Sequence, residues 1–295
     1  MPGTALSLII LSTFMHAGWN LMVRRTRSEL VFVHRMLIAG SILGLVPAVA
    51  SALVFEPLPI KTFQFLLASG ICCGLYFVGL AKGYSASDFT IVYPLARALP
   101  VLLLGMTDIV LHRSPTPLGW TGLGLVVAGC ILAPLTSLRN VQRAHYVNRT
   151  MLWILLAAMG TIGYSLIDKS GAQFIQEHVA PGWWTSLHYA YYFFLVATAI
   201  YTVLLRIGNT SKSDSGKVGW FLPAAASVLN VGSYALIVWV FQMTHQVSYV
   251  VAGRQFSIVI GVLVGFSLFH EPGRFVRTLS ALLLTAGLIV ISARG

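Results

Sequence analysis

Charge is what this sequence has least of. Only 9% of its 295 residues are Asp, Glu, Lys or Arg, with 8 acids against 19 bases. A soluble domain carries roughly a quarter charged residues, so a globule of this size with a wetted surface is excluded. Cysteine is scarce as well. Cys72, Cys73 and Cys130 all fall in apolar runs and read as small core residues, implying no disulfide or metal framework. There is no HExxH, no GxSxG and no phosphate-binding Gly-rich loop, so an enzyme would lack its nucleophile or metal constellation. Neither catalysis nor a cofactor is expected.

What the chain has is apolar length. It is 57% hydrophobic, with a mean hydropathy of +0.82. Stretches of about 18 or more apolar residues recur, each able to cross a ~30 Å hydrocarbon core as a helix. Hydropathy and polar breaks predict ten spans, at 3–23, 30–54, 63–82, 89–111, 118–137, 151–173, 182–205, 219–241, 247–269 and 275–293. The breaks carry turn chemistry, as in "EPLPIK" (56–61), "RSPTP" (113–117), "EHVAPG" (177–182) and "HEPGR" (270–274). The longest polar stretch, "RIGNTSKSDSGK" (206–217), reads as a flexible linker. No loop has room for a soluble catalytic domain. The first span has no basic start and no small-residue cleavage site, and Arg24, Arg25 and Arg27 follow it at once; it reads as a retained helix.

A net charge of +11 suggests a nucleic-acid partner until its distribution is read. The face holding the loops after spans 1, 3, 5, 7 and 9 takes 13 of the 19 Lys and Arg residues, the other face takes 3 (Lys61, Arg113 and Arg294), and Arg97, Lys169 and Arg254 lie within or near the ends of spans. Positive charge stays on the cytoplasmic side, so both termini are expected outside, with the lipid bilayer and not nucleic acid as the partner. The expected location is the inner (plasma) membrane of a bacterium.

Ten spans divide into two fives, and an odd repeat unit inserts in opposite orientations, as in many secondary transporters. "HAGWNLMVRR" (16–25) lines up with "TIGYSLIDKS" (161–170), matching Gly18 with Gly163, Trp19 with Tyr164 and Arg24 with Lys169. Tyr93–Pro115 aligns without a gap onto Val250–Pro272, and only 3 of those 23 positions are identical. Two of the three are the rare intramembrane arginine and the proline after the span. The expected organisation is a first five-helix repeat at 1–137, a linker at 138–150 and a second repeat at 151–295.

With "HAGWN" in span 1, "YPLARALPVLL" in span 4 and "FHEPGR" before the last span, the chain resembles the drug/metabolite transporter superfamily, and within it the EamA-type members. The resemblance covers the whole chain in architecture. It implies an all-α membrane protein of ten transmembrane helices in two inverted repeats, acting as a secondary carrier with a central cavity between its halves. The superfamily includes exporters of amino acids, importers of small metabolites, nucleotide-sugar carriers and plastid phosphate translocators. Its motifs carry over no substrate-binding residue, so the site rests on this sequence.

"PLARALP" (94–100) places Arg97 about 12 Å into its span, near mid-depth, and Arg254 lies comparably deep from the opposite face. Arginines at that depth face a bundle interior or a watery cavity. Pro94 and Pro100 remove backbone donors on either side and predict a kink with freed carbonyls. Tyr93 shares a stripe with Arg97. His16, Trp19 and Asn20 share a face of span 1; Thr185, His188, Tyr189 and Tyr192 form a stripe in span 7; Ser227, Asn230, Ser233 and Tyr234 form one in span 8. Singly, such residues are ordinary interhelical hydrogen-bond partners. The expected substrate contacts are Arg97, Arg254, His16, Trp19, Asn20, Tyr93, His188, Asn230 and Tyr234.

The acids within spans, Asp108 and Asp168, are read as lying toward span ends, where either could form a structural ion pair with an arginine. With no mid-depth carboxylate to match the two arginines, an anionic group should pair with them. The expected cargo is a small anionic or zwitterionic metabolite, such as an amino acid, organic acid or phosphonate. Trp19 and the tyrosines could hold an apolar or quaternary-ammonium portion of it by stacking or cation–π contact; the alternatives are a cationic or amphipathic drug exporter in the same fold and a lipid-translocating or scaffolding membrane protein. His16 or His188 could carry a coupling proton.

Overall fold

The computed structural model describes residues 2–24, 26, 28–54, 57–86, 89–112, 114–132, 135, 137, 150–179, 182–207, 218–260 and 274–294. Its elements are α1 (Gly3–Arg24), α2 (Glu29–Leu43), α3 (Leu45–Val54), α4 (Thr62–Ala86), α5 (Phe89–Val110), α6 (Pro117–Leu132), α7 (Thr150–His178), α8 (Trp183–Ile207), α9 (Phe221–Met243), α10 (Val247–Arg254) and α11 (Arg274–Arg294). No strand occurs among the described residues. Helices are forced by the solvent: in hydrocarbon every backbone donor and acceptor must be satisfied within its own segment.

Among the described residues, six stretches are long and apolar enough to cross a membrane: Gly3–Val23, Glu29–Val54 (α2 and α3 together), Thr62–Gly83, Thr150–His178, Trp183–Ile207 and Phe221–Met243. The other four expected spans appear as shorter apolar helices, Leu99–Val110, Pro117–Leu132, Val247–Ile260 and Phe275–Ile291. Of the two linkers read from the sequence, 138–150 and 206–217, residues 138–149 and 208–217 lie outside the described residues.

Polarity is arranged as a bilayer requires. Leu45, Val46, Val49, Leu53 and Val54 of α3 and Leu152, Leu155 and Met159 of α7 are exposed, while His16, Asp168, Lys169, Asn230 and Arg254 are buried. An apolar exterior of this extent would aggregate in water and is at rest against lipid tails.

With lipid outside and no hydrophobic drive between helices, close packing holds the bundle together. Contacts are most extensive between α4 and α7, α6 and α11, and α1 and α9. At the first of these the backbones touch. A Cβ on Gly160 would stand 2.7 Å from the Cys72 carbonyl oxygen, and one on Gly79 would stand 2.8 Å from the Ala157 nitrogen. The α6–α11 pair repeats the device: a Cβ on Gly287 would lie 2.6 Å from the Gly122 carbonyl, and Ser280 Oγ donates to the Gly129 carbonyl at 2.8 Å.

Polar side chains serve as further cross-links. His34 Nε2 and Thr202 Oγ1 lie 2.9 Å apart, Ser41 Oγ and Thr198 Oγ1 are 3.1 Å apart, and Tyr201 donates to the Leu30 carbonyl at 3.1 Å, all joining α2 to α8. Lys169 is spent structurally: its Nζ donates to the Phe241 and Thr244 carbonyls. These are orphan acceptors at the end of α9, where a cation also meets the negative end of the helix dipole. Asp108 Oδ2 accepts the Ser248 N–H at 3.0 Å and so anchors the first turn of α10. Asp108 stands eleven residues beyond Arg97 on the continuous helix α5, about 16 Å along its axis.

Candidate functional site

The break expected at the two prolines falls elsewhere. Helix α5 runs through Pro94 and Pro100, whereas α10 stops at Arg254 and resumes after a turn at Gln255. Gln255 explains the stop. Its Nε2 donates to the Val251 carbonyl at 3.1 Å, the acceptor an α-helix reserves for the Gln255 backbone. The freed Gln255 N–H bonds the Ala252 carbonyl at 2.9 Å instead, which tightens the last turn. Arg254 therefore occupies a helix end inside the bundle.

Arg254 is only 7% exposed. Its Cζ lies 5.5 Å from the Tyr234 ring centroid, within cation–π range, and its Nε has no hydrogen-bond partner among the described residues. It borders two adjoining narrow clefts. One is lined by His16, Tyr76, Ala96, Pro100, Tyr164 and Gln255 among others. The other is lined by His16, Trp19, Tyr76, Tyr164, Asn230 and Tyr234 among others. His16, Tyr76, Tyr164 and Arg254 belong to both, so the two form one cavity where α1, α4, α5, α7, α8, α9 and α10 meet.

Aromatic rings make its wall. Phe193 stacks on Tyr234 at 4.6 Å between centroids, and Tyr164 stands edge-on to Tyr234 at 5.7 Å and to Tyr76 at 5.8 Å. On α1, Trp19 Nε1 donates to His16 Nδ1 at 3.1 Å. That contact makes Nδ1 an acceptor, so a neutral His16 carries its proton on Nε2.

Five of the nine expected contacts thus converge: His16, Trp19, Asn230, Tyr234 and Arg254. Arg97 and Tyr93 lie on α5, and their side chains fall outside the described residues. The neighbouring Ala96 and Pro100 line the first cleft, so the turn bearing Arg97 borders the cavity. Two expected residues stand apart. Asn20 Nδ2 donates to the His16 carbonyl at 2.8 Å within its own helix, because a short amide one turn on reaches that acceptor before anything across the bundle. His188 lies outside both clefts and packs on Tyr192, with centroids 5.1 Å apart.

Tyr76 and Gln255 were missed in the sequence, since each looks ordinary in an apolar run. Asp168 was misplaced. Helix α7 continues to His178, so this acid lies ten residues, about 15 Å, from the helix end and not near it.

Fold and cavity together define a multi-pass helical membrane protein with an aromatic-walled cleft, bordered by His16 and Arg254, inside its bundle. Residues 3–134 match the model of the EamA-like transporter family. The family is one of membrane transporters of the drug/metabolite type, as the resemblance in "HAGWN" and "YPLARALPVLL" implied. A solved structure described only as "Crystal structure of protein" is similar over 98% of this chain and 96% of its own, with a TM-score of 0.72 and 14% identity. At that identity the likeness shows the fold alone, and it extends the architecture past the family match to the whole chain. No curated protein matches the chain.

Proposed function

We propose that the protein is a secondary carrier that moves a small anionic or zwitterionic metabolite through this cavity by alternating access. The observation that carries the reading is Arg254: a guanidinium at a helix end in the bundle interior, with an unpartnered Nε, above an aromatic wall. A buried cation is costly without an anion, and a carboxylate or phosphonate fits the guanidinium fork. Asp168 tempers that charge only across the Tyr234 ring. The clefts are narrow, so cargo enters when the helices part, as alternating access requires.

Ten spans in two inverted repeats, 1–137 and 151–295 joined by 138–150, fit the packing. In that scheme α1 and α7 are the first helices of the two halves, and α4 and α9 the third. The observed α1–α9 and α4–α7 contacts are then one contact made twice, while α6–α11, α5–α10 and α2–α8 each join a helix to its own counterpart. That pattern supports a two-fold relation. Under it Arg97 and Arg254 are counterparts, and both serve the substrate anion. His16, Trp19, Asn230 and Tyr234 complete the contacts.

Melting the purified protein against amino acids, organic acids, phosphonates, nucleotides and choline-like amines tests the substrate class, since a ligand of the folded state raises the melting temperature. Carboxylates or phosphonates are expected to do so. Stabilisation by amines alone would favour drug-like cations, for which the aromatic wall is also suited. Stabilisation that follows lipid headgroups alone would favour a lipid-moving or scaffolding protein.

Both termini outside is the orientation the charge bias supports. A C-terminal alkaline phosphatase fusion is expected to be active and the matching fluorescent-protein fusion dark. The opposite pair of results reverses the topology.

A further inference from the structure

Asp168 is fully buried, and three other helices converge on it. Tyr189 of α8 donates to Oδ1 at 2.7 Å, Tyr234 of α9 donates to Oδ2, and the Ser69 side chain of α4 also hydrogen-bonds the carboxylate. The charged or titratable groups around it are Cys72 and Cys73 on α4, Tyr189, Tyr234, Lys169 and, across the Tyr234 ring, Arg254. Lys169, next in the chain, sends its ammonium to the α9 carbonyls. The carboxylate's hydrogen bonds thus come from neutral hydroxyls.

Hydroxyls can serve either protonation state. Toward a carboxylate they donate; toward a carboxylic acid one of them can rotate and accept. An ion pair with lysine or arginine would hold the carboxylate charged more strongly than neutral phenol donors do. Tyr234 belongs to two places at once, because its hydroxyl is on Asp168 and its ring lines the cavity under Arg254. One side chain therefore separates the acid from the guanidinium.

We propose that Asp168, and not His16 or His188, is the proton-binding site of the carrier, with Tyr234 as the positioning residue that links it to Arg254. When Asp168 is ionised, both phenols donate to it and its negative charge is felt at Arg254. A proton from water on one face forms the O–H bond on a carboxyl oxygen, and Tyr234 must turn to accept it or give up its bond. Arg254 then loses a nearby negative charge and holds an anion more tightly. Release of the proton to the other face reverses the cycle. Proton and anion thus favour each other's binding, which makes the carrier a symporter; that last step rests on the anionic substrate reading, and the proton site does not.

Infrared difference spectra of the purified protein in lipid nanodiscs, titrated over about pH 5 to 8 with no substrate present, test the site apart from the substrate. The wild type is expected to gain a protonated-carboxyl C=O band as pH falls, together with a shifted guanidinium band. The carboxyl band should vanish in Asp168→Asn and move to higher frequency in Tyr234→Phe, where one hydrogen bond is lost. The guanidinium shift should vanish in Arg254→Ala while the carboxyl band stays. Identical spectra in the wild type and Asp168→Asn, or a carboxyl band that ignores pH, overturn the proton site. If Asp168→Asn does not fold, a titrating band unmoved by both Tyr234→Phe and Tyr189→Phe overturns it equally.

Discussion

Arg254→Ala is expected to weaken binding of whichever carboxylate or phosphonate stabilises the wild type by at least tenfold, while the protein still inserts and purifies folded. Loss of a desolvated, charge-assisted contact costs about 2–5 kcal/mol where charge pairs are buried, and each 1.4 kcal/mol is tenfold. Folding should survive because the residue ends α10 by its side of a cavity and not in a packed seam; the turn itself depends on Gln255 and the Val251 carbonyl. Arg254→Lys should rescue poorly, since the planar fork is lost. Arg97→Ala should behave alike if it is the counterpart in α5. Wild-type affinity in Arg254→Ala would remove the residue from the site. If Arg97→Ala merely unfolds the protein, Arg97 is a structural residue, and the two arginines do not share a substrate.

Legibility followed the physics behind each feature. Long apolar runs announce helices because hydrocarbon leaves the backbone no other partner, and six expected spans returned at nearly full length. The buried arginine announced a cavity for the same reason, since charge at that depth must be housed. What stayed hidden was decided by local competition for hydrogen bonds. Proline marks a missing donor, yet α5 bridges two of them; a glutamine that satisfies its own i−4 carbonyl marks nothing, yet it breaks α10. Asp168 was misjudged because "IDKSGAQFIQEH" reads as an approach to the surface. In the structure Lys169 finds carbonyls at the end of α9, so a charged pair of neighbours remains deep in the fold. His188 and Asn20 had the right periodicity, but a 100° face is wide enough to look in two directions.

Gly160→Val is expected to cost more stability than any substitution in the cavity. A Cβ there would sit 2.7 Å from the Cys72 carbonyl oxygen and 2.9 Å from the Tyr76 backbone nitrogen. Both are main-chain atoms of a helix, so neither can swing aside as a side chain would. Helices α4 and α7 must separate along the most extensive contact in the bundle. Overpacking a tight core costs about 1–3 kcal/mol when side chains yield, and here the backbone has to move, so the upper end or beyond is expected. Tyr76 and Tyr164 ride on those two helices and line both clefts, so ligand binding should fail along with stability. Gly124→Val is the matched control: its Cβ meets nothing within 4 Å, and its effect should stay within about 0.5 kcal/mol. Melting both variants in one detergent decides the matter. A Gly160→Val protein that melts with the wild type would mean that α4 and α7 are not in backbone contact, and the cavity between them would have to be redrawn.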